Sequence, residues 1–254
     1  MVKLGINHLI DFENKAIDDT HINLHGFYEN CPIIIDTMLK LHYYTGKFES
    51  SETNLGAFQS FCYTSYVQDP LTFWSIFRLY ERGCYLEACI LLRHLLESFV
   101  QMKYLAKHPE KTLDFFNLNK RINFRKVFDE FAPEFYNKSY GKMLSTYTHR
   151  LLGKDIFRFK RKSPSEGRQI EPYTYNEKFA TFVINFKIPL IYGYLHNFDM
   201  FFINNTISED KDFEKILNRN KKWLDDAMES HIKNYPDTED WYKDYFKIIG
   251  KEKK

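Results

Sequence analysis

The chain has 254 residues and a mass of 30.7 kDa, with 36 Lys+Arg against 34 Asp+Glu and a formal net charge of +2. Hydrophobic residues are 44%, charged residues 28% and aromatic residues 18%, a balance that excludes a disordered chain. With 10 Gly and 8 Pro it is also not collagen-like or dominated by loops.

The pattern along the chain is helical throughout. No alternation of apolar and polar residues reads as a strand. In the N-terminal third, Ile33 to Leu41 fits a helix and Ser50 to Asn54 a loop. A helix is predicted from Pro70 to Arg82, stopped by Gly83. The next runs from Cys84 to Lys107 and stops before Pro109. Its apolar residues, Leu86, Ala88, Cys89, Leu92, Leu95, Leu96, Phe99 and Met102, cover more than half the circumference, which puts it at the centre of the core. Shorter helices follow over Glu110–Asn117 and Arg121–Phe131. Another runs from Pro133 to Leu152 with a stripe of Tyr136, Tyr140, Met143, Leu144, Tyr147 and Leu151. Gly153 suits its C-cap, and a turn-rich loop reaches Pro172. A long helix then spans Asn176–Asn204, with a kink expected at Pro189. Ser208 opens a helix to Lys233, and a short one covers Glu239–Ile249. The expected fold is all-α, a single compact helical bundle over 1–254. Its core spans 60–207, and 208–254 form a C-terminal helical extension.

Residues 1–15 lack the basic and apolar regions of a signal peptide. The apolar stretch 188–203 is interrupted by His196, Asn197 and Asp199 and is too short to span a bilayer. The expectation is a cytoplasmic protein that does not engage a membrane. Cys31, Cys62, Cys84 and Cys89 form no CxxC pair, so they read as reduced thiols, with no metal site and no cofactor expected. His21 and His25, in HINLH, lack the Glu of a zincin motif. No GxGxxG, P-loop or GxSxG pattern is present.

Charge is uneven. Residues 1–60 hold four Lys against eight Asp+Glu, whereas 118–168 hold thirteen Lys+Arg against five Asp+Glu. Arg150, Lys154, Arg158, Lys160, Arg161, Lys162 and Arg168 are densest, and Phe157 and Phe159 alternate with them. Such a segment either tracks a nucleic-acid backbone or is a solvated loop. On the Cys84–Lys107 helix, Arg93 and Glu97 stand one turn apart; Lys142, Ser145 and His149 lie opposite the tyrosine stripe. If the two polar faces meet, they build a pocket of Arg, Glu, Ser and His; otherwise both face water. In such a pocket a histidine can move protons at neutral pH and an arginine can stabilise charge on phosphorus.

The stretch RLYERGCYLEACILLRHLLESFVQMKYLAKHPEK, residues 78–111, resembles the signature of a family of uncharacterised bacterial all-helical proteins, and YGKMLSTYTH, residues 140–149, is similar to a second segment of that family. Arg82, Gly83, Arg93, Glu97, Ser145 and His149 carry the resemblance. The family in turn looks distantly similar to the HEPN helical bundles. That likeness implies a dimeric, metal-independent ribonuclease of the kind found in phage defence. The HEPN hallmark, Arg and His four to six residues apart on one helix, is absent here; Lys142 before His149 comes nearest. Two functions follow. One is an RNA-binding or RNA-cleaving effector, with His149 as acid/base, Arg93 as phosphate cation, Glu97 and Ser145 as positioning groups, and Lys142, Lys154, Arg158, Lys160, Arg161 and Lys162 holding RNA. A second copy of the chain would be its other partner. The alternative is a non-enzymatic interaction protein in which Arg93, Glu97, Ser145 and His149 fix helix packing.

Overall fold

A computed structural model describes residues 6–50, 52–116, 123–133, 177–234 and 247–248. Every regular element among them is helical: α1 (Ile6–Asn23), α2 (His25–Leu41), α3 (Asn54–Glu81), α4 (Tyr85–Lys107), α5 (Thr112–Phe116), α6 (Phe124–Phe131), α7 (Glu177–His196), α8 (Phe198–Phe201) and α9 (Lys211–Asn234), with three single 3₁₀ turns between them. They form a compact all-α bundle. The helices expected over 133–152 and 239–249 fall wholly or largely outside the described residues.

The α3–α4 hairpin is the frame. Thr53 has extended backbone, and its hydroxyl accepts from the Gly56 amide at 3.0 Å, so α3 begins at Asn54. The sequence signals had started this helix at Pro70. Pro70 instead lies buried inside a 28-residue helix. Its missing N–H costs one backbone hydrogen bond, but α3 is buried along its length by Phe58, Cys62, Tyr66, Phe73, Ile76, Phe77 and Tyr80. Gly56 permits the entry loop to cross the helix, since a Cβ there would sit 2.0 Å from the Ser50 carbonyl oxygen. The helix stops where the Arg-Gly pair predicts. Gly83 has φ +74°, its amide donates to the Tyr80 carbonyl at 3.1 Å, and the Cys84 amide donates to Leu79 at 2.8 Å. These are the two bonds of a Schellman turn, and they reverse the chain directly into α4.

Helix α4 is central, as its apolar circumference implies. Leu92, Leu95, Leu96, Phe99, Val100 and Met102 are fully buried between α3 and α7. Helix α7 contributes Val183, Leu190, Ile191, Tyr194 and Leu195, and ends at His196 rather than Asn204; a separate turn, α8, buries Phe198 and Phe201. Helix α9 packs against α7 and α2 through Phe213, Leu217, Leu224 and Met228. It is opened not by Ser208 but by Asp210, whose carboxylate accepts from the amides of Phe213 (2.9 Å) and Asp212 (3.1 Å) and from the Tyr44 hydroxyl (2.7 Å). Those bonds, the Phe213 amide foremost, hold the Asp210 carboxyl below its ordinary range. The Tyr44 hydroxyl, desolvated and bonded to that carboxylate, is pushed up to about 12. The Tyr44 and Phe213 rings stack at 4.2 Å, so Tyr44 both holds the capping carboxylate and packs on the helix. No described helix is long and apolar enough to cross a membrane.

The Schellman turn gives a direct prediction. Gly83→Ala forces an L side chain into the left-handed region and destabilises the fold by about 1–2 kcal/mol, measured as a lower urea midpoint with an unchanged slope.

Candidate functional site

Arg93 and Glu97 lie one turn apart on α4, and the structure brings them together: Arg93 Nε donates to Glu97 Oε1 at 2.9 Å. Each side chain keeps 24% of its exposure, so the pair sits at the edge of the core. An Arg preceding its Glu is the weaker helical order, yet a quarter-exposed pair is screened less than a surface one. The remaining predicted site residues, Lys142, Ser145, His149, Lys154, Arg158, Lys160, Arg161 and Lys162, lie outside the described residues. Arg82 and Gly83 serve the α3–α4 turn: Arg82 is the C-cap and Gly83 supplies the positive φ.

Two polar centres escaped the sequence reading. The first ties three helices. Asp69 of α3 is 3% exposed. Its Oδ2 accepts from the Ser98 hydroxyl of α4 at 2.8 Å and from the Tyr194 hydroxyl of α7. Ser65 lies 3.3 Å from the Ser98 oxygen, and the Tyr66 hydroxyl donates to the Tyr194 carbonyl at 2.6 Å. Burial raises the Asp69 carboxyl above its ordinary 3.8; the two hydroxyls and His94 pull it back in part. Burial likewise lifts the Tyr194 hydroxyl well above its usual range.

The second centre joins α2, α3 and α7. Lys187 and Cys31 are each 1% exposed, and Lys187 Nζ donates to Cys31 Sγ at 3.1 Å. Glu81, equally buried, interacts electrostatically with both. Arg78 Nη1 reaches Glu81 Oε1 at 2.6 Å from the surface, an ion pair rather than an aligned hydrogen bond. A signal for this centre was present: Lys187 interrupts a long apolar run on α7. The signal for the first was Ser65 and Asp69 one turn apart, but their partners come from other helices.

Among the described residues no three His, Cys, Asp or Glu side chains are grouped to hold a metal ion. His21 belongs to α1 and His25 begins α2, with Leu24 between the two helices, so their four-residue spacing is not one helical turn. All four cysteines are free thiols.

The buried carboxyl sets a pH dependence. A folded-state acid with a raised pKa holds its proton more tightly than the unfolded chain does. Relative to Asp69→Asn, the wild type therefore loses stability as pH climbs from the ordinary 3.8 through the raised value, and loses no more above it. Urea unfolding of both proteins across a pH series measures this; a constant difference would place Asp69 in a solvated environment.

No curated protein and no solved structure is significantly similar to this chain. One family model matches, over residues 71–253, a span that takes in the α3–α4 turn, Arg93, Glu97 and the segment holding Ser145 and His149. The chain belongs to that family, the family of unknown function DUF5677.

Proposed function

We propose that this chain is a non-enzymatic helical interaction or scaffold protein, in which Arg93, Glu97, Ser145 and His149 form a network that fixes helix packing. The supporting observation is how the polar groups of the described bundle are used. The Arg93 guanidinium is engaged with Glu97. Elsewhere in the described bundle polar side chains tie one helix to another: Ser98 and Tyr194 to Asp69, Lys187 to Cys31, and Asn220 of α9 to Thr37 of α2 at 2.7 Å. Satisfied networks of this kind select one packing arrangement out of many apolar ones. The Arg93–Glu97 pair lies within one helix at the edge of the core, and the proposed network carries it on to Ser145 and His149.

A second reading is favoured by one feature, the 24% exposure that the Arg93 side chain retains. A phosphate can approach a guanidinium so placed. In this reading the chain is a HEPN-like, metal-independent RNA-cleaving effector of phage defence, acting as a homodimer. His149 moves the proton of the 2′-hydroxyl or leaving oxygen, Arg93 neutralises charge on phosphorus, Glu97 and Ser145 orient them, and Lys142, Lys154, Arg158, Lys160, Arg161 and Lys162 hold the strand.

The readings separate on His149→Ala. For the scaffold, the purified wild type leaves single-stranded RNA intact, and the variant melts lower by about 2–4 °C for each 1 kcal/mol lost. A cycle pairing it with Glu97→Gln then gives a coupling of about 0.5–3 kcal/mol. Cleavage of RNA by the wild type, abolished by His149→Ala at an unchanged melting temperature, would overturn the scaffold and establish the effector.

A further inference from the structure

An ammonium group in an apolar core is costly unless a strong acceptor compensates it. Among the contacts of Lys187 there is a hydrogen bond to a thiol, a weak acceptor. Its Nζ also stands 5.0 Å from the centre of the Phe77 ring, and Glu81 lies close enough to act on it electrostatically. Burial drives the Lys187 amine downward, with Cys31 and Glu81 opposing, and drives the Cys31 thiol upward. Both effects favour neutral amine and neutral thiol, held 3.1 Å apart and shielded from water. At 1% exposure the site excludes bulky thiols, which ordinarily intercept a sulfenic acid, whereas a small uncharged oxidant can enter as the core breathes.

We propose that Cys31 and Lys187 are an oxidative modification site, at which hydrogen peroxide joins Sγ to Nζ through one oxygen atom and so cross-links α2 to α7. In the first step the Lys187 amine takes the Cys31 proton, the thiolate so formed attacks one peroxide oxygen to give a sulfenic acid, and the hydroxide released regains the proton from the ammonium and leaves as water. In the second, the sulfenic oxygen forms a bond to Nζ. A second peroxide accepts the two electrons released, and the sulfenic hydrogen and one amine hydrogen leave with it as two waters. The product is S–O–NH, and each peroxide has taken up one electron pair. A single bridging oxygen spans the observed separation with less movement of the packed helices than a direct sulfur–nitrogen bond needs. The bridge joins positions 156 residues apart. It therefore restricts the unfolded chain and raises the melting temperature of the oxidised protein. This site is independent of the scaffold and effector readings, since Arg93 and His149 take no part in it.

The test is a peptide map of the full native chain after graded peroxide treatment, with and without a thiol reductant. The expected product is one peptide pair joining Cys31 to Lys187, heavier by one oxygen and lighter by two hydrogens than its parts. Trypsin fails to cut at Lys187 in it, and reduction reverses it. The pair is lost in Cys31→Ser, in Lys187→Met and in chain treated while unfolded in urea, and the oxidised wild type melts higher than the reduced. Recovery of Cys31 as a free thiol or sulfinic acid with Lys187 still cleaved would overturn the proposal. So would a cross-link without the added oxygen, or one that forms equally well in the unfolded chain. Because the wild-type map decides the matter, a variant that fails to fold does not weaken the test.

Discussion

One carboxylate oxygen, Oδ2 of Asp69, holds hydroxyls from two other helices, Ser98 on α4 and Tyr194 on α7. The rest of the bundle is arranged around that meeting point. Removing a carboxyl from water is unfavourable, and only well-placed donors offset the cost. The donors are well placed only if α3, α4 and α7 sit at one mutual height and rotation. The apolar surfaces of these helices drive them together, but leucine and phenylalanine side chains tolerate several registers. A shifted register would leave Asp69 buried without its partners, so the polar contact selects among packings that burial alone would leave close in energy.

The same logic runs outward from that centre. Asn220 and Thr37 bond α9 to α2. Tyr44 holds the Asp210 carboxylate that caps α9 while stacking on Phe213. The Gly46 loop passes the chain after α8 so closely that a Cβ would lie 2.0 Å from the Asn204 carbonyl oxygen. In each case a polar or backbone contact sets the position of an element whose apolar face is already committed to the core. The Arg82-Gly83 pair and the Arg93-x-x-x-Glu97 spacing have a structural meaning in this setting. The first pair is a helix reversal, and the second is a lateral pair at the core edge. Neither requires catalysis to account for it, which is why the interaction-protein reading stands first.

The Cys31–Lys187 centre differs from the others in chemistry. Asp69 and Asn220 are bonded to groups that an oxidant does not join to them, whereas a thiol against an amine can be linked by one. Its placement between α2 and α7 joins the N-terminal helices, which the family model does not include, to the part of the chain that it does. A covalent tie at that place would couple the two regions in an oxidising environment and release them in a reducing one.

The all-helical character, the stop at Gly83 and the central place of α4 were legible in the sequence, because each depends on local chemistry. A glycine can take φ +74°, and a helix apolar over most of its circumference has to be enclosed. Where helices began was less legible. Pro70 looks like a start but is carried inside α3, because burial along the whole helix outweighs one missing hydrogen bond. Helix α1 gave no stripe to find, since its described buried residues are only Ala16 and Thr20. Of the candidate site, the Arg93–Glu97 pair could be read from its four-residue spacing, since both residues ride on one helix. The Asp69–Ser98–Tyr194 and Cys31–Lys187 contacts could not. Their members are separated by up to 156 positions, and only the packing of helices against one another decides which buried polar group meets which. Periodicity along the chain determines which face of a helix turns inward; the partner it finds there is a property of the assembled core.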